Sequence, residues 1–145
     1  MKSLSKILFF SVLFTFGFVS KDNNMSSSAI NWLDVADRGS QSLLSKFWNT
    51  QYEYFNEASD SARWGGHYWP QAHALDVMVD AYLRTNDAGY IPYFEGWLRG
   101  VRVANGNQWA NNYIDDMEWI GLASFRAWKA TGNAEFLTAV REVWD

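Results

Sequence analysis

Two adjacent carboxylates, Asp115 and Asp116, stand inside the run Asn111-Asn112-Tyr113-Ile114-Asp115-Asp116-Met117-Glu118-Trp119. Neighbouring side chains on a helix diverge by about 100° yet can address one substrate. Carboxylates about 5 Å apart can divide glycoside hydrolysis between them: one attacks the anomeric carbon, the other protonates the leaving oxygen, and configuration is retained. A helix N-terminus favours an ionised carboxylate, and a like charge beside it favours keeping one of the two protonated. The pattern does not say which aspartate takes which part. A purely structural reading competes with it: Asp115 with Glu118 three residues on has capping-box spacing, with Asp in place of Ser or Thr. Two adjacent acids exceed what one cap needs, and Trp109, Tyr113 and Trp119 surround them.

Further candidates lie in the aromatic stretch from Ala62 to Trp69, which contains Trp64, Gly65, Gly66, His67 and Tyr68. Trp64, Tyr68, Trp69 and Trp109 offer flat apolar faces with a polar edge, suited to stacking on sugar rings; core packing is the alternative for each. His67, Asn112 and Tyr113 can hydrogen-bond hydroxyl groups, while the asparagines can equally turn the chain. Asp76 and Asp80 sit on an otherwise apolar segment and need partners; Asp76, nearer the start of that segment, is the better site candidate. His73 reads as a satisfied interior histidine. His73 and Asp76, three apart, lack a convincing third ligand, so neither metal nor cofactor is expected. The absence of cysteine removes disulfides, thiolate metal sites and cysteine nucleophiles; there is also no phosphate-cradling glycine loop and no Ser-His-Asp signature.

The elements that must position these groups are helical. Trp32, Leu33, Ala36, Leu43, Leu44, Phe47 and Trp48 recur on one amphipathic stripe. After the loop, Pro70 suits a first helical turn, and Gln71 to Arg84 is apolar nearly all round, which predicts burial on most sides. Tyr90, Ile91, Phe94, Trp97, Leu98 and Val101 form a single face, as expected of a peripheral helix. The pair then recurs: Met117 to Trp128 is apolar all round, and Phe136, Leu137, Val140, Val143 and Trp144 make one stripe. At an offset of 46, Ala81 aligns with Ala127, Thr85 with Thr131, Ala88 with Ala134 and Tyr90 with Phe136. Inner-plus-outer helical hairpins of this length build an open solenoid or a closed toroid; inner helices buried on most sides favour the toroid. Five helices are too few to close such a ring, so the sequence is expected to be the N-terminal part of a longer protein, inactive and poorly soluble alone, exposing Val79, Leu122 and Phe125. Trp32, Trp48, Trp97 and Trp144 fall on packing stripes, and Trp64, Trp69 and Trp109 gather toward the aspartates.

Composition narrows the partners. The chain of 145 residues carries a net charge of −4 and includes nine Trp, seven Tyr and ten Phe. Nucleic acid and anionic membrane surfaces, which need clustered Lys and Arg, fit this balance poorly, whereas a neutral polar ligand such as a polysaccharide fits it well. Residues 1–20 read as a signal peptide, with Lys2 and Lys6 before the apolar run Ile7 to Val19; 21–28 read as a polar linker and 29–145 as the domain. Secretion, or a periplasmic or cell-surface location, is expected, without stable membrane insertion once the signal is removed. No cysteine marks a lipoprotein.

The run from Asn112 to Trp119, preceded by Trp69-Pro70-Gln71-Ala72-His73-Ala74-Leu75-Asp76-Val77, resembles glycoside hydrolase family 76, the endo-α-1,6-mannanases and their fungal transglycosidase relatives. The resemblance runs from about Ala29 to the last residue. It implies an all-α (α/α)6 toroid, incomplete over this length, acting on α-mannan as a monomer when complete. It further implies Asp115 as nucleophile and Asp116 as general acid/base in a retaining double displacement. The alternatives are another (α/α)6 sugar enzyme, an epimerase or different glycosidase, and a non-catalytic glycan-binding helical protein.

Overall fold

The computed structural model describes residues 29–60, 64 and 66–145. The signal segment, the linker, and Ala62, Arg63 and Gly65 of the aromatic loop lie outside the described residues. The architecture below is that of the unit Asn31–Asp145. Its order is α1 (Trp32–Phe47), β1 (Trp48–Asn49), β2 (Tyr54–Phe55), α2 (Trp69–Thr85), a short 3-10 turn (Ala88–Tyr90), α3 (Ile91–Ala104), α4 (Ile114–Thr131) and α5 (Glu135–Trp144).

Local chemistry sets the helix ends. Asn31 caps α1 by accepting from the backbone N–H groups of Leu33 and Asp34 at 3.2 and 3.4 Å. Pro70 occupies the first turn of α2, where its missing N–H costs nothing. The two inner-to-outer corners are built alike. Thr85 and Thr131 each donate a hydroxyl to the carbonyl four residues back, Ala81 and Ala127, at 2.8 Å. Asn86 and Gly132 follow in the left-handed region, at φ 53 and 73. Asp87 and Asn133 then accept the N–H two residues on, from Gly89 and Glu135. The 46-residue repeat thus extends from apolar pattern to individual hydrogen bonds.

Helices α2 and α4 lie side by side in the same direction: His73 meets Trp119 and Asp80 meets Arg126, each pair 46 residues apart and in the same order. The helices α3 and α5 form a second layer, where Phe136 packs against Phe94 and Trp97. Trp97 anchors the layers, stacking on Trp109 at 5.6 Å between centroids and donating its indole N–H to the Gln71 carbonyl at 3.0 Å. This is the parallel-inner, outer-layer arrangement expected of the toroid. No described helix is long and apolar enough to cross a membrane.

The apolar stripe predicts α1 through Trp48, but the helix ends at Phe47, and Trp48–Asn49 pairs with Tyr54–Phe55 of the expected loop in a small antiparallel hairpin, Trp48 opposite Phe55 and Asn49 opposite Tyr54. Such a short hairpin owes its stability to what it packs on. The Gln71 side chain acts as a third strand, accepting from Phe55 N–H at 3.0 Å and donating to Phe55 C=O at 2.7 Å. On the other side α3 presents Gly100, where an added Cβ would lie 2.2 Å from the carbonyl oxygens of Tyr52 and Glu53. Only glycine admits the turn there.

Several packing expectations need correcting. The stripe of α1 seats only its second half, Leu43, Leu44 and Phe47, against the core; Trp32 and Leu33 are exposed, because no described element of the unit covers that end. Trp144 is 86% exposed for the same reason. Val79, expected to be bared, is fully buried, whereas Leu122 and Phe125 are exposed. Helix α2 also leaves Val77 and Leu83 exposed, so neither inner helix is covered all round.

Candidate active site

Because α2 and α4 are parallel, their N-terminal ends share one rim. Helix α4 begins at Ile114 with Tyr113 at the cap position in extended conformation, and no side chain caps it. Asp115 and Asp116 are therefore the second and third residues of the helix. The capping-box reading of Asp115 fails, since the cap lies two residues earlier. Asp115 is exposed and Asp116 half-buried, so the two adjacent acids face different surroundings.

Beside them runs an aromatic wall. Trp69, in the first turn of α2, is 48% exposed, and Trp119, one turn along α4 from Asp115, is 45% exposed. The imidazole of His73 lies between the two rings, 5.6 Å from Trp69 and 4.9 Å from Trp119. His73 is thus half-buried, edge-on to Trp69 and tilted against Trp119 at the rim, rather than buried in the interior. Asn112 and Tyr113 are exposed just ahead of the helix.

On the α2 side, the exposed His67 bonds Glu57 twice, through Nδ1 at 3.1 Å and its backbone N–H at 3.3 Å. Its carbonyl receives the indole N–H of Trp64 at 2.6 Å. Trp64 is half-buried, stacked on Tyr68 and edge-on to Tyr54. A cleft of about 530 Å³ bounded by Phe47, Phe55, Glu57, His67 and Trp69 adjoins this loop but includes neither aspartate.

Two residues expected to stack on sugar do not present a ring face. Tyr68 is 1% and Trp109 2% exposed; Trp109 is sandwiched against Trp97, and Tyr68 lies under Trp64. Their polar groups instead meet each other: the Tyr68 hydroxyl donates to the Trp109 carbonyl at 3.0 Å. Burial, followed by the charges of Glu142 and Asp116, pushes the Tyr68 hydroxyl well above the usual tyrosine range. It therefore remains a donor at any working pH. Asp76 is likewise engaged elsewhere, paired with Arg126 Nη1 at 2.6 Å, while Asp80 bonds Arg126 Nη2. That pairing raises the already high pKa of Arg126, mainly through the bond to Asp80, and ties the inner helices together. No local pattern marks Glu57, Arg126 or Glu142 as partners, because each acts across 10 or more residues of chain. Among the described residues no group of three or more His, Asp or Glu gathers to hold a metal ion.

No family model matches the chain, and no curated protein matches it. Solved structures do. The GH76A α-1,6-mannanase of Salegentibacter sp. HEL1_6 is 32% identical, with a TM-score of 0.72 over 79% of this chain and 33% of that one. An inactive variant of that enzyme, with two consecutive aspartates replaced by asparagine, in complex with α-1,6-mannotriose, gives the same TM-score at 30% identity, over 79% of this chain and 33% of that one. The Lin0763 protein of Listeria innocua, also 30% identical, matches with a TM-score of 0.66 over 79% of this chain and 35% of that one. The chain is a glycoside hydrolase family 76-like segment with the helical-hairpin order of the (α/α)6 toroid, and it spans about a third of the length of these structures.

Proposed function

We propose that this chain carries the catalytic aspartates of a retaining glycoside hydrolase that cleaves α-1,6-mannosidic linkages in mannan. The observation that carries the reading is the adjacent pair Asp115 and Asp116 in the first turn of α4, at a rim lined by Trp69 and Trp119. The mannanase supports it, because replacing two consecutive aspartates accompanies loss of its activity while α-1,6-mannotriose is still bound. Asp115 attacks the anomeric carbon; Asp116 protonates the departing glycosidic oxygen and then deprotonates the water that releases the glycosyl-enzyme. Trp69 offers the open face for a mannose ring, with His67, Asn112 and Tyr113 available for hydroxyl groups. The work takes place outside the cell, on a polysaccharide, after removal of residues 1–20.

The test is release of oligosaccharides from linear α-1,6-mannan by the full-length protein, with the anomer of the first product read by NMR. Asp115→Asn and Asp116→Asn should each lower turnover by roughly 10³-fold or more. Activity surviving both changes, or an inverted first product, would refute the assignment. Chain length unchanged after incubation with sugar isomerised would point instead to an epimerase.

A further inference from the structure

We infer that Glu142 and Tyr68 are positioning residues that clamp the Trp109 peptide and thereby fix the first turn of α4, with Asp115 and Asp116, against the rim of α2. The inference rests on the paired-aspartate reading for its catalytic consequence but not for its geometry. Trp109 lies in the connection between α3 and α4, and both polar groups of its backbone are held by side chains from distant elements. Its N–H donates to Glu142 Oε1 on α5 at 2.7 Å, and its carbonyl accepts the Tyr68 hydroxyl at 3.0 Å. Tyr68 immediately precedes α2, so the backbone of one residue, shortly before α4, is tied both to the start of α2 and to the outer helix α5.

The connection needs such a hold. Gly106 and Asn107 both adopt positive φ, 77 and 64, and the backbone bonds that end α3 stop at the Asn107 N–H, which donates to the Arg102 carbonyl, several residues before α4 begins at Ile114. What replaces them is a chain of side-chain bonds. Asn105 Nδ2 donates to the carbonyls of Gln108 and Ala110 at 2.8 and 3.1 Å. Asn111 Oδ1 accepts the Tyr113 N–H at 2.8 Å. Trp109 lies within the first of these local turns, between the two carbonyls that Asn105 holds, with its ring fixed on Trp97. Without Glu142 and Tyr68 the buried N–H and C=O of Trp109 would lack partners, a condition the connection relieves by moving. Four residues then separate that movement from Ile114 and the aspartates.

A carboxylate acceptor and a phenol donor make asymmetric demands. Glu142→Gln keeps an oxygen for the Trp109 N–H; Glu142→Ala does not. Tyr68→Phe keeps the buried ring and removes only the hydroxyl. A merely structural loss would lower stability without changing turnover of the folded enzyme, whereas misplacement of the pair strikes kcat.

The experiment combines amide hydrogen exchange over 105–116 with kinetics on α-1,6-mannan, in the full-length protein below its unfolding temperature. Glu142→Ala and Tyr68→Phe should speed exchange at Trp109 and the following amides roughly tenfold or more. They should also lower kcat roughly 10- to 100-fold with KM changed less than about threefold. Glu142→Gln should restore most of both. Unchanged exchange, or faster exchange with wild-type kcat, overturns the clamp. A wild-type protein that leaves mannan intact refutes the proposed function; the clamp is then decided by whether the exchange change reaches Asp115 and Asp116 or stops at Trp109.

Discussion

The two helical hairpins, α2 with α3 and α4 with α5, share a 46-residue repeat and hydrogen-bonded corners of the same design, yet differ in how deeply they are seated. Val79, Phe94, Trp97 and Leu98 of the first are buried. At the equivalent places in the second, Phe125 and Trp144 are exposed and Val140 and Val143 half-buried. The first hairpin has neighbours on both flanks: α1 and the small β-hairpin on one, the second repeat on the other. Among the described residues, the second hairpin has the first on one flank and no element on the other. Periodicity marks which face of a helix seeks cover, and neighbouring elements decide whether it finds any.

The comparison can be broken most severely where the first hairpin receives its extra neighbour. Gly100→Ala drives a methyl against two backbone carbonyls that no rotamer change can move, and should cost about 3 kcal/mol or more in urea unfolding. A cost below about 1 kcal/mol would mean that the β-hairpin does not seat the first repeat. Next comes the pair Leu98 and Trp144, equivalent by the offset but opposite in exposure. In the 145-residue chain Leu98→Ala should cost about 3 kcal/mol and Trp144→Ala less than about 0.5. Equal costs would show that burial follows the repeat rather than the neighbours.

The corners, where the hairpins agree, sharpen the comparison at a smaller scale. Gly132→Ala places a Cβ in the left-handed region and should destabilise by about 1 kcal/mol. Asn86→Gly relieves the same strain in the first corner and should stabilise by roughly 0.5 kcal/mol. The smallest effect concerns Glu53 on the β-hairpin turn, bonded twice by Arg99 of α3 at 3.0 and 2.7 Å. The bond to Arg99 holds the Glu53 carboxyl below its ordinary value of 4.5. Its contribution is therefore present above that value and is lost as pH falls through the lowered one. Both groups are substantially exposed, so the loss should be less than about 1 kcal/mol and shrink with salt, as an unfolding series from pH 6 to pH 3 would show.

The same division of labour governs the candidate site. Asp115 and Asp116 were legible as an adjacent pair of acids because adjacent residues on one helix keep their spacing whatever surrounds them. Trp69 was legible as a rim aromatic because its place follows from Pro70 and the start of α2. Tyr68 and Trp109 carried the same aromatic signal but lie buried, and Asp76 is engaged by Arg126. Nothing local distinguishes an indole facing solvent from one stacked on Trp97 twelve residues earlier. The partners that settle these cases come from 33, 41 and 50 residues away.

The sequence by itself determined the helices, their corners, the hairpin repeat, and the pair of acids at the head of α4. Those are set by hydrogen bonds and steric limits reaching no further than about four residues, so they are written in spacing. Tertiary structure alone decided which aromatics face the rim, that Glu142 and Tyr68 hold the Trp109 peptide, and that a glycine in α3 admits a β-hairpin. These depend on which surfaces meet when parallel inner helices pack. Burial and long-range hydrogen bonds are properties of that meeting, not of the residues taken one stretch at a time.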